Sequence, residues 1–120
     1  MWIKLEINIL GFPIRAVVEF LDEGWDVSVL GGCKTHIGAV TLADPDGKTQ
    51  TLVRDNHRDD EISVRWAVTL AAFWKSPVCV RVGIHYDSIN RNEIDLIVQG
   101  CKQLLSQVIE ACTCPVDSQT

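Results

Sequence analysis

The chain has three histidines, and each stands in a short stretch that also contains glycine or charged residues. These stretches contain the candidate site residues, which are Gly31, Gly32, Lys34, His36, His57, Arg58, His85 and Asp87. We expect each histidine at the end of a strand or in a loop, and loops beside a rigid sheet are the usual place for binding residues. The sequence therefore predicts that the three histidines converge on one polar site.

Three kinds of chemistry fit these residue types. Backbone N–H groups freed by a glycine pair can bind an anion, and nearby lysine, histidine or arginine side chains can add charge-assisted hydrogen bonds. A transition metal would take imidazole and carboxylate ligands instead. That ligand set is His36, His57, His85 and Asp87. A histidine could also act as a general base, with Cys33 as the candidate nucleophile.

The glycine pair has two interpretations. Gly31 and Gly32 could let the backbone approach a ligand closely, because glycine has no side chain to obstruct it. Alternatively, they could mark a β-bulge or a crossover between sheet edges. On the ligand interpretation, replacing Gly32 by valine is expected to weaken binding and to leave the fold largely intact.

The hydrophobic pattern predicts the elements that position these residues. Period-two alternation indicates three strands before residue 30, a fourth strand follows at 36–43, and a turn at 44–47 predicts a return strand at 48–54. Helical spacing follows at 59–74. A β-branched strand then leads into His85, and a long helix with a capping box of Asn90 and Glu93 ends the order β-β-β-β-β-α-β-α. This order predicts an α+β fold in which a mostly antiparallel sheet of about six strands, arranged as a meander, carries two helices on one face.

Length, charge and cysteine content restrict the class of protein. The 120 residues suit a single α+β domain at 1–115, followed by a polar C-terminal tail at 116–120. The net charge of −5 argues against nucleic-acid binding, and no apolar run reaches the roughly 18 residues of a membrane span. Five cysteines, an odd number, favour reduced thiols and a cytoplasmic location. Two sheet edges need protection, so we expect a homo-oligomer, most simply a homodimer.

Three motifs, in this order, resemble those of a known family. They are Gly-Gly-x-x-x-His-Ile-Gly at 31–38, His-Arg-x-Asp-Glu at 57–61 and Gly-Ile-His-x-Asp at 83–87. The pattern is similar to that of small prenylated-flavin chaperones, accessory proteins of gallate and other hydroxyarylic acid decarboxylase systems with a proteasome-assembly-chaperone-like fold. The resemblance covers residues from about 31 to 105. This chain has Thr35 where the family often has proline.

The resemblance implies an accessory protein that binds prenylated flavin mononucleotide, or FMN, and delivers or protects it for a partner non-oxidative hydroxyarylic acid decarboxylase. Such a chaperone is not itself an enzyme. The loop at 31–36 and Arg58 would hold the flavin phosphate. The aromatic residues available to cover the ring are Trp25, Trp66, Trp74 and Tyr86. Two alternatives stay open, namely a small metal-dependent enzyme that uses the three histidines and a purely structural protein-assembly chaperone.

Overall fold

The computed structural model describes residues 2–54 and 58–112. Its elements follow the predicted order, and the predicted α+β class is confirmed. The elements are β1 (Trp2–Ile9), β2 (Phe12–Phe20), β3 (Trp25–Gly32), β4 (Lys34–Ala43), β5 (Thr49–Val53), α1 (Asp60–Trp74), β6 (Val78–His85) and α2 (Arg91–Ala111). The predicted tail at 116–120 lies outside the described residues, and so does His57.

The strands form one six-stranded mixed sheet in the order β1-β2-β3-β6-β4-β5. Strand β6 runs parallel to β3 and antiparallel to β4, and the remaining neighbouring pairs of the described sheet are antiparallel. The prediction of a mostly antiparallel sheet is therefore confirmed, but the simple meander is wrong because β6 lies between β3 and β4. Val78, Val80 and Val82 are fully buried. This alternating buried valine row suits a central strand, which is paired along both edges.

Both helices pack on the same face of the sheet. Helix α1 contacts β4, β5 and β6, whereas α2 contacts β1 and β2. At the centre, the Thr41 hydroxyl of β4 lies 2.8 Å from the Ser63 hydroxyl of α1. Ser28 and Arg81 are paired in register on the opposite face, which we call the open face. No helix among the described residues combines the length and the apolar character that a membrane span requires.

The two helices begin differently, and both begin near the end of β6. The predicted capping box of α2 is present, since Asn90 Oδ1 accepts the Glu93 N–H at 2.9 Å and Glu93 Oε1 accepts the Asn90 N–H at 3.0 Å. Helix α1 starts after Asp59, whose side chain makes no capping hydrogen bond. That carboxylate is available to contact the sheet instead.

Candidate functional site

The site starts from an irregularity in the pairing of β4 with β6. The register shifts between Thr35 and Ala39, so that residues 36–38 lie opposite Gly83 alone. A Cβ atom at Gly83 would overlap the carbonyl oxygen of His36, and glycine is therefore required for this close approach. Bulges of this kind change the direction of a side chain relative to a regular strand. Here the bulge directs His36 towards the start of α1.

A buried carboxylate holds His36. Asp59 is 7% exposed, and its Oδ2 atom lies 3.1 Å from His36 Nε2. Its Oδ1 atom accepts the Ile84 N–H at 3.4 Å. Because a buried carboxylate is stable only when it is paired or hydrogen-bonded, these contacts join β4, β6 and α1 at one point.

Sequence reasoning missed Asp59 as a site residue and assigned it to the acidic start of α1. A carboxylate directly before a helix normally caps that helix. No local signal in the sequence shows that this carboxylate faces two strands.

His85 lies beside His36 at the end of β6. The two imidazole centroids are 5.9 Å apart, and His85 Nε2 lies 2.8 Å from Asp87 Oδ1. A carboxylate contact of this kind fixes the orientation of an imidazole ring. The next residue, Tyr86, donates its hydroxyl to the Ile9 carbonyl at 2.8 Å. Burial raises the pKa of Tyr86, which keeps the phenol protonated as a donor.

Both histidines line a cavity of about 430 Å³ between the end of β6 and the starts of the two helices. Its polar lining consists of His36, Arg58, Asp59, Glu61 and His85. The rest of the wall consists of Ile62, Ile84, Tyr86, Ile89, Ile94, Ile97 and Val98. Small-molecule pockets usually have about 300–1,000 Å³ and a mainly apolar wall with a few polar groups. This cavity can therefore hold a ring system that has polar atoms at its edge.

The structure brings several of the predicted site residues together. His36, Arg58 and His85 line the cavity, and Asp87 contacts His85. Lys34 is exposed and lies opposite His85 in the pairing of β4 with β6. The convergence of all three histidines stays a prediction, since His57 lies outside the described residues.

The glycine pair packs against neighbouring strands. A Cβ atom at Gly31 would overlap the Pro13 carbonyl oxygen, and one at Gly32 would overlap that of His85. Gly32 also has φ +87°, and the following Cys33 N–H donates to the His85 carbonyl at 2.7 Å. This geometry contradicts the expectation that valine at Gly32 leaves the fold intact. Contact of either glycine with a ligand stays a prediction.

The metal interpretation lacks a complete ligand set in the described part of the chain. Within residues 2–54 and 58–112, no three His, Cys, Asp or Glu side chains are arranged to hold a metal ion together. The predicted set of His36, His57, His85 and Asp87 includes one residue outside these ranges, so it stays a prediction.

The four aromatic residues suggested as ring cover are distributed over three places. Tyr86 lines the cavity. Trp66 is 1% exposed and belongs to the core. Trp25 and Trp74 stack on each other at the opposite end of β6, with ring centroids 3.6 Å apart and an interplanar angle of 16°. Trp25, Trp66 and Trp74 therefore serve mainly packing.

Fold and site together define a small α+β protein with a ligand-sized cavity at one end of a mixed sheet. A family model for the prenylated flavin chaperone LpdD-like domain matches residues 9–113, which is most of the chain. The chain belongs to this family, as the three motifs predicted. Membership supports a flavin chaperone role and, with it, association with prenylated flavin and with a flavin-dependent partner enzyme.

Comparison with solved structures gives the same fold. One similar chain comes from the crystal structure of a novel chaperone complex for yeast 20S proteasome assembly, with a TM-score of 0.52 and 14% sequence identity. The match covers 90% of this chain and 98% of that one. At this identity the likeness concerns the fold alone. Comparison with curated proteins found no significant match.

Proposed function

We propose that this chain binds prenylated flavin mononucleotide in the cavity beside His36 and His85. In this proposal it delivers or protects the cofactor for a partner non-oxidative hydroxyarylic acid decarboxylase and converts no substrate itself. The observation that carries the proposal is the apolar cavity of about 430 Å³, with histidine and arginine in its wall, in a chain of the prenylated flavin chaperone family.

The cavity lining suits the chemistry of a flavin. The ring is large and mainly apolar, it has polar atoms along its edge, and it carries a phosphate on a flexible chain. Isoleucine side chains of β6 and α2 would cover the ring and exclude water. His36 and His85 would hydrogen-bond its polar edge, and the exposed Arg58 would pair with the phosphate. The cofactor would supply the reactive ring that the partner enzyme uses, and the chaperone would only bind and shield it.

The contact between Asp59 and His36 prepares the site for a ligand. With Oδ2 of the carboxylate 3.1 Å from Nε2, a contact within the chain itself defines the orientation of the imidazole. A side chain that is already ordered loses less conformational entropy on binding. We therefore assign to Asp59 a positioning role in flavin binding.

The proposal includes a homodimer and a cytoplasmic location. Strand β5 is an edge strand whose residues are all exposed, and Leu52 is 80% exposed. Such an edge is often covered by a second copy of the chain. Sedimentation equilibrium should give about twice the chain mass of 13.4 kDa, whereas a single species of 13.4 kDa at micromolar concentration would contradict the dimer. The odd number of cysteines supports the cytoplasmic location.

An anaerobic titration of the purified full-length chain with reduced prenylated flavin mononucleotide tests binding directly. We expect saturable binding with one flavin per chain. Arg58→Ala should weaken it by about ten- to a hundredfold, because a charge-assisted hydrogen bond contributes roughly 1.5–3 kcal/mol. Arg65→Ala is the matched control, since Arg65 is exposed on α1 and is not among the residues that line this cavity. No binding at high micromolar flavin would overturn the proposal.

Delivery needs a separate assay. An apo-decarboxylase is mixed with the free cofactor in the presence and absence of this chain, and its activation is followed. Faster or more complete activation with the chain supports delivery. Equal activation without it would refute the delivery step even if flavin binding were observed. If no flavin binds, analysis of the purified chain for bound metal tests the metal-dependent alternative.

A further inference from the structure

A second pocket, of about 210 Å³, lies on the open face of the sheet. The residues that line it are Ser28, Leu30, Thr35, His36, Ile37, Arg81 and Val82. His36 also lines the larger cavity, but the other lining residues are different. The open-face pocket is therefore a separate space, next to the bulge of β4.

Ser28 gives the first indication of a ligand in this pocket. Its neighbours Val27 and Val29 belong to the core, so the alternation of β3 directs Ser28 to the open face. Nevertheless, Ser28 is only 8% exposed, and its hydroxyl has no hydrogen-bond partner among the residues that the structure describes. Because the hydroxyl oxygen itself still reaches solvent, its hydrogen bond comes from water or from a ligand that enters the pocket.

Arg81 gives the second indication. It lies directly beside Ser28 in the parallel register of β3 and β6, and it is exposed. Within residues 2–54 and 58–112, no carboxylate lies within salt-bridge distance of its guanidinium group. Asp26 pairs with Cys79 on the same face, two residues before Ser28 and Arg81 in their strands. Burial raises the pKa of Cys79, Asp26 raises it further and Arg81 lowers it, so both charges act on this thiol.

We infer that the pocket of Ser28 and Arg81 binds a small oxyanion, either a phosphate or a carboxylate group. The planar guanidinium of Arg81 provides paired donors that match such groups. The hydroxyls of Ser28 and Thr35 add further donors, and the aliphatic side chains of Leu30 and Ile37 reduce competition from water. This inference does not depend on flavin binding.

The test is a two-dimensional NMR titration of the full-length chain with inorganic phosphate at constant ionic strength. We expect saturable shifts of the Ser28, Thr35 and Arg81 amides. Arg81→Ala should weaken the fitted affinity by about tenfold or more, and Arg81→Lys by less, because lysine keeps the charge but loses the paired donors. Arg65→Ala removes the same charge from the other side of the sheet and should change the affinity by less than about twofold.

Shifts that do not saturate at tens of millimolar phosphate would overturn the inference, as would equal losses of affinity in Arg81→Ala and Arg65→Ala. Ser28→Ala provides a second test, because it removes one donor without removing charge. It should weaken phosphate binding by about three- to tenfold. An unchanged affinity would remove Ser28 from the site and overturn the inference as stated.

The source of the oxyanion is resolved by competition. FMN and riboflavin share the same ring, but only FMN carries a phosphate. If FMN displaces inorganic phosphate from the pocket and riboflavin does not, the pocket holds the phosphate of a larger ligand. If neither displaces it, the pocket takes a free anion. Both results support an oxyanion site.

Discussion

The two ends of β6 each border a cavity, but they are constructed in different ways. At the start of β6, a cavity of about 690 Å³ is bordered by Phe20, Trp25 and Trp74. Trp25 stacks on Trp74 with centroids 3.6 Å apart, and Phe20 lies tilted against Trp25 with centroids 3.8 Å apart. At the end of β6, the smaller cavity has aliphatic walls and the two histidines. The aromatic rings are largely used for packing, whereas the histidine end keeps polar side chains at a cavity wall.

The two ends of β6 also differ in whether their buried polar groups have hydrogen-bond partners. At the aromatic end, the buried Trp74 Nε1 has no hydrogen-bond partner among the described residues. At the histidine end, the Asp59 carboxylate contacts both His36 and the Ile84 N–H. An arrangement that orders polar groups around an open space suits binding. The proposed flavin site therefore lies at the end of β6 that has fewer aromatic rings.

The largest expected effect is on stability, at the aromatic end. Trp25 is 6% exposed and packs between two other rings, so Trp25→Ala should lower the free energy of unfolding by about 3–5 kcal/mol. Phe73→Ala is the control, because Phe73 lines the same cavity but is 49% exposed, and it should cost less than about 1 kcal/mol. Urea denaturation measures both. If folded Trp25→Ala protein also lost its flavin affinity, the assignment of packing to the aromatic end and of binding to the histidine end would be wrong.

At the histidine end, Gly83→Ala should cost about 1–3 kcal/mol and also weaken flavin binding. The added Cβ would overlap the His36 carbonyl oxygen and displace the bulge. Gly47→Ala is the control, since Gly47 has φ +96° and nothing within 4 Å of the added carbon. It should cost about 1–2 kcal/mol from backbone strain alone and leave flavin affinity unchanged. Equal flavin affinities in the two variants would mean that the bulge does not position the site.

Replacing Asp59, whose carboxylate contacts His36, should have a smaller effect on stability. Asp59→Asn keeps the shape of the side chain but removes its charge, and it should lower the free energy of unfolding by about 1–2 kcal/mol. The orientation of the His36 ring should also become less defined, and ring proton NMR signals would show this. Asp60→Asn, one position further along, is the control for charge at the helix start. A positioning role for Asp59 is excluded if the His36 signals are the same in both variants.

Alkaline pH should produce a change of about 1 kcal/mol through Cys101. Burial, with a further contribution from Asp59, raises the pKa of this thiol from 9.0 to about 12. Between pH 9 and 12 the unfolded chain releases the proton and the folded chain retains it, so stability falls as pH rises through this range. Stability should therefore drop more between pH 8 and 10 in the natural chain than in Cys101→Ser. Identical drops would show that Cys101 is not responsible.

The last prediction concerns the reactivity of a thiol at each end of β6 and not the stability of the fold. Cys33 is exposed beside the histidine end, whereas Cys112 at the aromatic cavity is 3% exposed and burial raises its pKa. A brief treatment with iodoacetamide should alkylate Cys33 at least about ten times faster than Cys112, as measured by peptide mass spectrometry. Similar rates would indicate that the aromatic end opens readily in solution.

Much of the fold could be predicted from the sequence because it depends on near neighbours. The alternation of apolar residues predicted β1 to β3, the turn before β5 predicted that return strand, and the spacing of Asn90 and Glu93 predicted the start of α2. The placement of His36 near the start of β4 and of His85 at the end of β6 was also recognisable, and the three motifs identified the family. Strand alternation and capping involve residues only a few positions apart, so their signals are local.

Only the tertiary structure determined which distant residues meet. It placed β6 between β3 and β4, gave Gly31 and Gly32 a packing role, and brought Asp59 to His36. Asp59 and His36 are 23 positions apart, and their contact exists because the bulge of β4 and the start of α1 both lie at the end of β6. Such contacts depend on strand order and on the close approach of backbones. Neither is encoded in the spacing of any one segment, because each arises from several elements that pack together.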